Sequence, residues 1–145
     1  MKTRPILITA IAIIFCIFTA CGQSSAAAKV VFSDETSVVI ECTEDGGTLE
    51  DALSALSEAG ELSYEGSQSE YGLYITGVNG RTADEAAGEY WAIYTTLGEA
   101  DGVVYSSAEY GTYEYDGKTC ASASYGASGL PMVKGEIYVI TLGKF

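Results

Sequence analysis

The sequence predicts a small α+β domain in which one helix packs on a mostly antiparallel sheet. One amphipathic segment has helical spacing, and it stands among several runs of β-branched and aromatic residues separated by glycine turns. The chain has 145 residues. Setting aside an N-terminal leader of residues 1–20 leaves a length that suits one domain rather than two.

The first predicted strand is the β-branched run from Thr36 to Cys42. A turn at Asp45-Gly46-Gly47 follows, because paired glycines favour a change of direction. The helix then begins after Thr48, whose hydroxyl can cap it, with Asp51 near the positive end of the helix dipole. Gly60 provides the stop. The apolar face of this helix consists of Leu49, Ala52, Leu53 and Leu56.

Further strands are predicted after the helix. The run from Tyr71 ends in Asn79-Gly80, a strong hairpin signal. The segment between Gly102 and Gly129 is rich in Tyr, Ser, Gly and Ala, and we expect a long loop there apart from a hairpin at residues 113–118. The other two predicted strands are residues 89–96 and 136–142, which brings the expected total to between five and seven.

The N-terminus resembles a bacterial lipoprotein signal. Lys2 and Arg4 precede an apolar stretch of 13 residues from Ile6 to Phe18, shorter than the roughly 20 residues that span a bilayer. Phe18-Thr19-Ala20-Cys21-Gly22 is similar to a lipobox, which implies cleavage before Cys21 and lipidation of its thiol. An ordinary secretory signal and an uncleaved anchor are the alternatives. The predicted organisation is a signal peptide at 1–20, a lipidated flexible stalk at 21–30 and the folded domain at 31–145, on the extracytoplasmic face of the membrane.

The charge of the chain argues against two classes of partner. Seven basic and 20 acidic residues give a net charge of −13, and loss of Lys2 and Arg4 with the leader makes it −15. Such a surface repels phosphate backbones and anionic lipid headgroups, so nucleic-acid binding and electrostatic membrane docking are not expected. The membrane is expected as a partner only through the N-terminal lipid.

Two cysteines remain in the mature domain, Cys42 and Cys120. An oxidising compartment would allow a disulfide between them, and this bridge is one possibility. Two buried free thiols, behaving as small apolar groups, are the other. The spacing alone does not decide between them.

The order of several short motifs resembles the transcobalamin-like C-terminal domain family. These motifs are Thr48-Leu49-Glu-Asp-Ala52-Leu53, Gly72-Leu-Tyr74-Ile75-Thr-Gly-Val78-Asn79-Gly80 and Tyr90-Trp91-Ala-Ile-Tyr94. The resemblance covers about residues 36–142. It implies a β-grasp-like module that binds a soluble ligand, which in the animal carriers closes over cobalamin from one side. A corrinoid is therefore the ligand that the resemblance suggests.

No catalytic group is predicted. The chain has no histidine, which removes Ser-His and Cys-His arrangements, and the acidic pairs Glu41/Glu44 and Glu99/Asp101 have the spacing of ordinary surface carboxylates. Turn acids that could attract calcium match no fixed calcium motif, so no metal site is predicted. These acids are Asp45, Glu99, Asp101 and Asp116.

Aromatic residues are the candidates for ligand binding. Tyr90 and Trp91 are strand neighbours that must face opposite ways, and we expect Trp91 to anchor the core against Leu53 and Leu56. Exposed tyrosines combine a large apolar ring with a phenolic hydroxyl, a chemistry common at recognition surfaces. Cross-strand pairs that only stabilise the sheet are the alternative. The candidate ligand contacts are Tyr74, Tyr90, Tyr94, Tyr110 and Tyr113.

These observations predict a non-catalytic, lipid-anchored module that captures a corrinoid or another small ligand. An adhesion or protein-interaction domain at the cell surface, using the same tyrosines, is an alternative, and a calcium-stabilised scaffold is a third.

A Cys21→Ser variant tests the anchor. Because serine cannot accept the thioether-linked lipid, we expect this variant to leave the membrane fraction, whereas a Cys16→Ser control stays. Fractionation followed by immunoblotting measures this, and full membrane retention of Cys21→Ser contradicts the prediction.

Overall fold

The structure, a computed structural model, describes residues 27–145. The predicted signal peptide, Cys21 and the first part of the stalk lie outside this range. Within it, no helix is long and apolar enough to cross a membrane. The helix is α1 (Leu49–Glu58), and the strands are β1 (Ala28–Ser33), β2 (Ser37–Cys42), β3 (Tyr64–Ser69), β4 (Gly72–Val78), β5 (Arg81–Thr82), β6 (Glu89–Thr95), β7 (Glu99–Ala100), β8 (Val103–Val104), β9 (Ser106–Tyr115), β10 (Lys118–Ala123) and β11 (Ile137–Lys144).

The strands form a main sheet and two smaller ones. The main sheet has six strands in the order β1-β2-β11-β6-β10-β9, and β3-β4-β5 and β7-β8 form separate sheets. The pairings recorded between these strands are antiparallel. Short 3-10 helices occupy Glu85–Ala87 and Ala127–Gly129. The predicted α+β class, one helix with a mostly antiparallel sheet, is confirmed.

The helix begins and ends as its sequence predicts. The Thr48 hydroxyl accepts a hydrogen bond from the Asp51 N–H, and the Asp51 carboxylate accepts one in return from the Thr48 N–H at 2.8 Å, which is a capping box. At the other end Gly60 has a φ of 74°. The Glu61 N–H donates to the Leu56 carbonyl and the Gly60 N–H to the Ser57 carbonyl, the hydrogen-bond pattern of a Schellman motif.

The principal core lies between α1 and one face of the main sheet. Leu49, Leu53 and Leu56 of the helix have no exposed surface and belong to the same buried cluster as Trp91, as predicted for Trp91. The other face of the main sheet carries a second, smaller buried cluster. Its buried members are Val39, Cys120, Ile137 and Val139.

Two predictions about the strands were wrong. Residues 27–145 form eleven strands, not five to seven, because several of them are short or polar. Residues 102–129 are not mainly a loop, since β8, β9 and β10 occupy most of them. The chain also enters β1 at Ala28, within the segment predicted as a stalk and three residues before the predicted start of the domain at 31.

The helix cap gives a direct stability test. A Thr48→Ala variant loses the hydroxyl that accepts the Asp51 N–H, so we expect the free energy of unfolding to fall by about 1 kcal/mol. A Thr48→Ser variant keeps the hydroxyl and serves as the matched control. Urea denaturation followed by circular dichroism measures both, and equal destabilisation of the two variants would contradict the capping role.

Candidate binding groove

An open groove crosses the end of the main sheet and has a volume of about 380 Å³. Three segments line it: residues 73–75 of β4, residues 90–93 of β6, and residues 122–126, where the chain leaves β10. This volume is near the lower end of the range of roughly 300 to 1,000 Å³ that is usual for ligand pockets. We call this feature the groove.

The groove exists because β10 leaves β6 early. β6 pairs with β11 from Glu89 to Thr95, but with β10 only at Tyr94 and Thr95. Beyond that point β10 stays paired with β9 at Ala123, and the Ser124 N–H donates to the Tyr105 carbonyl at 2.8 Å, whereas no further pairing with β6 is recorded. In the part of the chain that the structure describes, the first half of β6 therefore has one edge without a partner strand.

The β4 wall is held in place through Ser128. The Leu73 N–H donates to Ser128 Oγ at 2.8 Å, and Ser128 Oγ in turn donates to the carboxylate of Glu50 on α1. The chain must approach closely here, because a Cβ at Gly72 would lie 2.5 Å from Ser128 Oγ. These contacts tie the helix, the loop after β10 and β4 into one unit, so the groove wall rests on the core.

The lining of the groove is aromatic and uncharged. None of the twelve residues that line it is Asp, Glu, Lys or Arg, although the chain carries 20 acidic residues. Trp91 is 7% exposed and lies at its floor, whereas the rings of Tyr74 and Tyr125 are roughly half exposed. An uncharged aromatic surface on a strongly acidic domain suits a ligand that makes apolar contacts.

Two polar groups of the groove differ from their surroundings. The Tyr74 hydroxyl donates to Glu85 Oε1 at 3.2 Å, and burial followed by this carboxylate raises the pKa of Tyr74. Within residues 27–145, the indole Nε1 of Trp91 is the buried side-chain nitrogen or oxygen that lacks a hydrogen-bond partner. A buried donor without an acceptor costs about 1 to 3 kcal/mol.

The start of β6 is fixed by an ion pair beside the groove. Arg81 Nη2 donates to both carboxylate oxygens of Glu89, at 3.0 and 2.9 Å, and the Asp84 N–H donates to Glu89 Oε2. This backbone hydrogen bond and then Arg81 lower the pKa of Glu89. The carboxylate of Glu89 is thus engaged by its neighbours and does not line the groove.

The five tyrosines predicted to contact a ligand do not form one site. Tyr74 and Tyr90 line the groove, and the Tyr90 ring also stacks on Phe145 at a centroid distance of 4.5 Å. Tyr94 and Tyr113 pack against the second buried cluster, with centroids 6.2 Å apart, and do not line the groove. Tyr110 is 76% exposed on β9 and does not line the groove.

Several groove residues were not among the predicted contacts. Leu73, Ile75 and Tyr125 line it, and Trp91 contributes to it as well as to the core. Tyr125 stands out in the sequence only as one of many tyrosines between residues 102 and 129. Nothing in the local sequence indicates that β10 ends beside β6, so these side chains could not be grouped in advance.

The structure also describes a smaller cavity and the remaining acids. The cavity has a volume of about 220 Å³ and lies between the tip of the β9–β10 hairpin and strands β1, β2 and β11, with Glu41, Asp116 and Lys118 in its lining. The carboxylate of Asp45 accepts the Lys134 N–H at 2.7 Å. Among residues 27–145, no group of three or more His, Cys, Asp or Glu residues is placed to hold a metal ion.

Cys42 and Cys120 are not bridged in the structure. Both are buried free thiols, and they belong to clusters on opposite faces of the main sheet. β11 and β6 lie between their strands, a separation of about 14 Å at the usual strand spacing. A disulfide needs Cα atoms within roughly 7 Å.

Comparison with known proteins identifies one family over part of this region. Residues 46–95 match the family described as a domain of unknown function (DUF4430). The match runs from the turn before α1 to the end of β6, so it includes the β4 and β6 walls of the groove but not β10 or β11. No curated protein matches the chain.

Because both thiols are buried, we expect them to react slowly and the stability of the domain to depend on pH. Burial raises the pKa of Cys120 from its ordinary 9.0 to about 11 and also raises that of Cys42. The folded state therefore keeps protons that the unfolded state loses, so stability is unaffected below about pH 9 and falls as pH rises from there toward 11. We expect neither thiol to react with a colorimetric thiol reagent in the native protein, and both to react in denaturant.

A Cys120→Ala variant provides the control for the pH dependence. The free energy of unfolding of this variant should fall less steeply over the same pH interval than that of the wild type. Burial also raises the pKa of Tyr138 to about 12, which adds to the loss of stability above pH 10 in both proteins. Identical pH profiles, or rapid labelling of the native protein, would contradict the account.

Proposed function

We propose that this domain is a non-catalytic binding module, held on the extracytoplasmic face of a membrane by lipid on Cys21, with the groove as its ligand site. The observation that carries the proposal is the uncharged aromatic lining of the groove on a domain with 20 acidic residues. Acidic groups are well solvated, so the surface around them favours contact with water. The groove has no charged lining, and an apolar ligand therefore gains the most free energy by leaving water there.

A corrinoid is the small ligand that we propose first. The motif resemblance to the transcobalamin-like family supports it, and the match of residues 46–95 to DUF4430 covers the same helix and strands. A corrinoid is larger than a groove of about 380 Å³, so it would lay one edge or face against Tyr74, Trp91 and Tyr125 rather than become enclosed. Such one-sided contact agrees with a module that captures a ligand and passes it on.

The tether would add to capture. A short stalk confines the domain to a thin layer above the membrane, which raises its effective concentration toward any partner in that layer. A module that hands its ligand to a membrane protein benefits from this confinement, since weak contacts then suffice for transfer.

Binding to the groove can be measured directly because Trp91 is the single tryptophan of the chain. We expect cobinamide or cobalamin to change Trp91 fluorescence and to release or absorb heat in calorimetry. A Tyr74→Ala variant should weaken binding by about tenfold, the loss of one aromatic contact worth roughly 1.4 kcal/mol. Tyr110→Ala removes an exposed tyrosine outside the groove and should leave affinity unchanged.

The possible outcomes test the identity of the ligand and the location of the site separately. Absence of heat up to high micromolar concentration removes corrinoids as the ligand. Equal effects of the Tyr74 and Tyr110 substitutions would remove the groove as the site, whichever ligand binds.

A protein-interaction role is the second candidate, and one observation favours it. The unpaired first half of β6 presents a strand edge in the groove, and strand edges pair readily with other chains.

A further inference from the structure

We propose that the groove binds a short, uncharged, extended peptide segment of another protein, which pairs with the free edge of β6 in the space beyond its pairing with β10. We call this space the lane. This inference rests on the proposed function in one respect, that the groove is the binding site. It names a different occupant from the corrinoid and a different physical basis for recognition, which is main-chain pairing.

The register of β6 shows which main-chain groups face this lane. The Thr96 N–H donates to the Ile137 carbonyl at 3.1 Å, and hydrogen-bonded pairs alternate along an antiparallel ladder. With the recorded register, Tyr94, Ala92 and Tyr90 therefore turn their main-chain groups toward β11. Trp91 turns its N–H and C=O the other way, into the lane beside the end of β10.

The β11 strand confirms this alternation from its other side. The Leu142 N–H donates to the Thr36 carbonyl at 2.7 Å, so residue 142 faces β2 while residues 141 and 143 face β6. Leu142 is paired with Trp91 in the register. The main-chain groups of Trp91 are therefore the ones that β11 does not use.

The opposite wall of the groove also presents a free edge. The Tyr74 carbonyl lies against β3, because a Cβ at Gly66 would come within 2.6 Å of it. Leu73 and Ile75 then face away from β3, and the Leu73 N–H is taken by Ser128. β5 pairs with this side of β4 at Gly77 and Val78, and the Ala83 N–H donates to the Thr76 carbonyl at 2.9 Å. Among the described residues, this pairing stops short of Ile75.

The size and chemistry of the lane select the occupant. The Glu89 N–H donates to the Asp84 carbonyl at 3.0 Å, and β10 pairs with β6 at Tyr94 and Thr95. Residues 90–93 remain between these contacts, which corresponds to about 14 Å of strand. The half-exposed rings of Tyr74 and Tyr125 line the lane, so a peptide would have to fit its side chains between them. Charged side chains would meet no counter-charge in a lining without charged residues, which favours uncharged residues in the bound segment.

The experiment uses a capped peptide with alternating Thr and Val, Ac-Thr-Val-Thr-Val-Thr-NH2, and three relatives with Leu, Ile or Phe in place of Val. The control peptides carry N-methyl groups on the two alternate amides and keep the same side chains. We expect the unmodified peptides to change Trp91 fluorescence at concentrations up to roughly 1 mM, and the N-methylated ones to bind at least about tenfold more weakly because they cannot donate to the edge.

Amide hydrogen exchange gives a rate that side-chain contacts alone would not change. At saturating peptide the Trp91 amide should exchange about tenfold more slowly, since it gains a partner. The Ala92 amide, which faces β11, is the internal control and should not change.

A matched pair of variants tests the lane itself. Gly126→Leu adds a side chain at a residue that lines the groove, where a Cβ meets only the Leu73 carbonyl oxygen, at 3.8 Å. Gly98→Leu adds the same side chain where nothing lies within 4 Å of the Cβ, outside the groove. Gly126→Leu should abolish peptide binding and Gly98→Leu should retain it, with circular dichroism confirming that both variants are folded.

Each other outcome overturns the inference. If corrinoids bind and none of the four peptides does, the peptide inference fails and the proposed function stands. If neither binds, both fail. Equal binding of the N-methylated peptides, or an unchanged Trp91 amide in the bound state, rejects main-chain pairing.

Discussion

The pairing of β11 with both β2 and β6 holds the domain together. β2 comes from the start of the folded chain and β6 from its middle, and β11 is the strand that joins them. Tyr138 of β11 is completely buried, and its hydroxyl donates to the Pro131 carbonyl at 2.6 Å and accepts the Val133 N–H at 3.0 Å. The Tyr138 side chain thus fixes the loop that precedes β11. The six-stranded sheet is incomplete until β11 is in place.

This dependence explains where the groove lies. β11 occupies one edge of β6 completely, so only the other edge is available to the rest of the chain. β10 pairs with the last two residues of β6 and then continues along β9 toward Tyr105. The first half stays open, with α1, Ser128 and β4 supporting the opposite wall. The groove is therefore a product of strand pairing rather than of a hollow core, which is why it is open and shallow.

The sequence predicts the elements whose signals are local. The helix cap at Thr48, the Gly60 stop and the hairpin at Asn79-Gly80 depend on residues within a few positions of each other, and all three are present in the structure. The alternation of Tyr90 and Trp91 also follows from strand geometry. These features needed no knowledge of what packs against them.

Polar and edge elements could not be predicted in the same way. β3 reads Tyr-Glu-Gly-Ser-Gln-Ser and is largely exposed, so no alternation of apolar residues reveals it. β9 is similar, since its tyrosines alternate with polar residues that a loop would also carry. The division of the predicted tyrosines between the groove and the second buried cluster, and the separation of Cys42 from Cys120, depend on strand order. Strand order is set by pairings between residues far apart in sequence, which one sequence does not display.

The two buried thiols have a consequence for the life of the protein outside the cytoplasm, where we propose that it is displayed. Folding hides both sulfur atoms from oxidants, on separate sides of the sheet. A chain that opens there exposes both thiols, and an oxidant can then join them by removing two electrons, or either thiol can exchange with a foreign disulfide. A bond between Cys42 and Cys120 is incompatible with the native strand order, so an unfolding event in which it forms prevents the chain from refolding. For this domain, slow unfolding would matter more to its working lifetime than a large equilibrium stability.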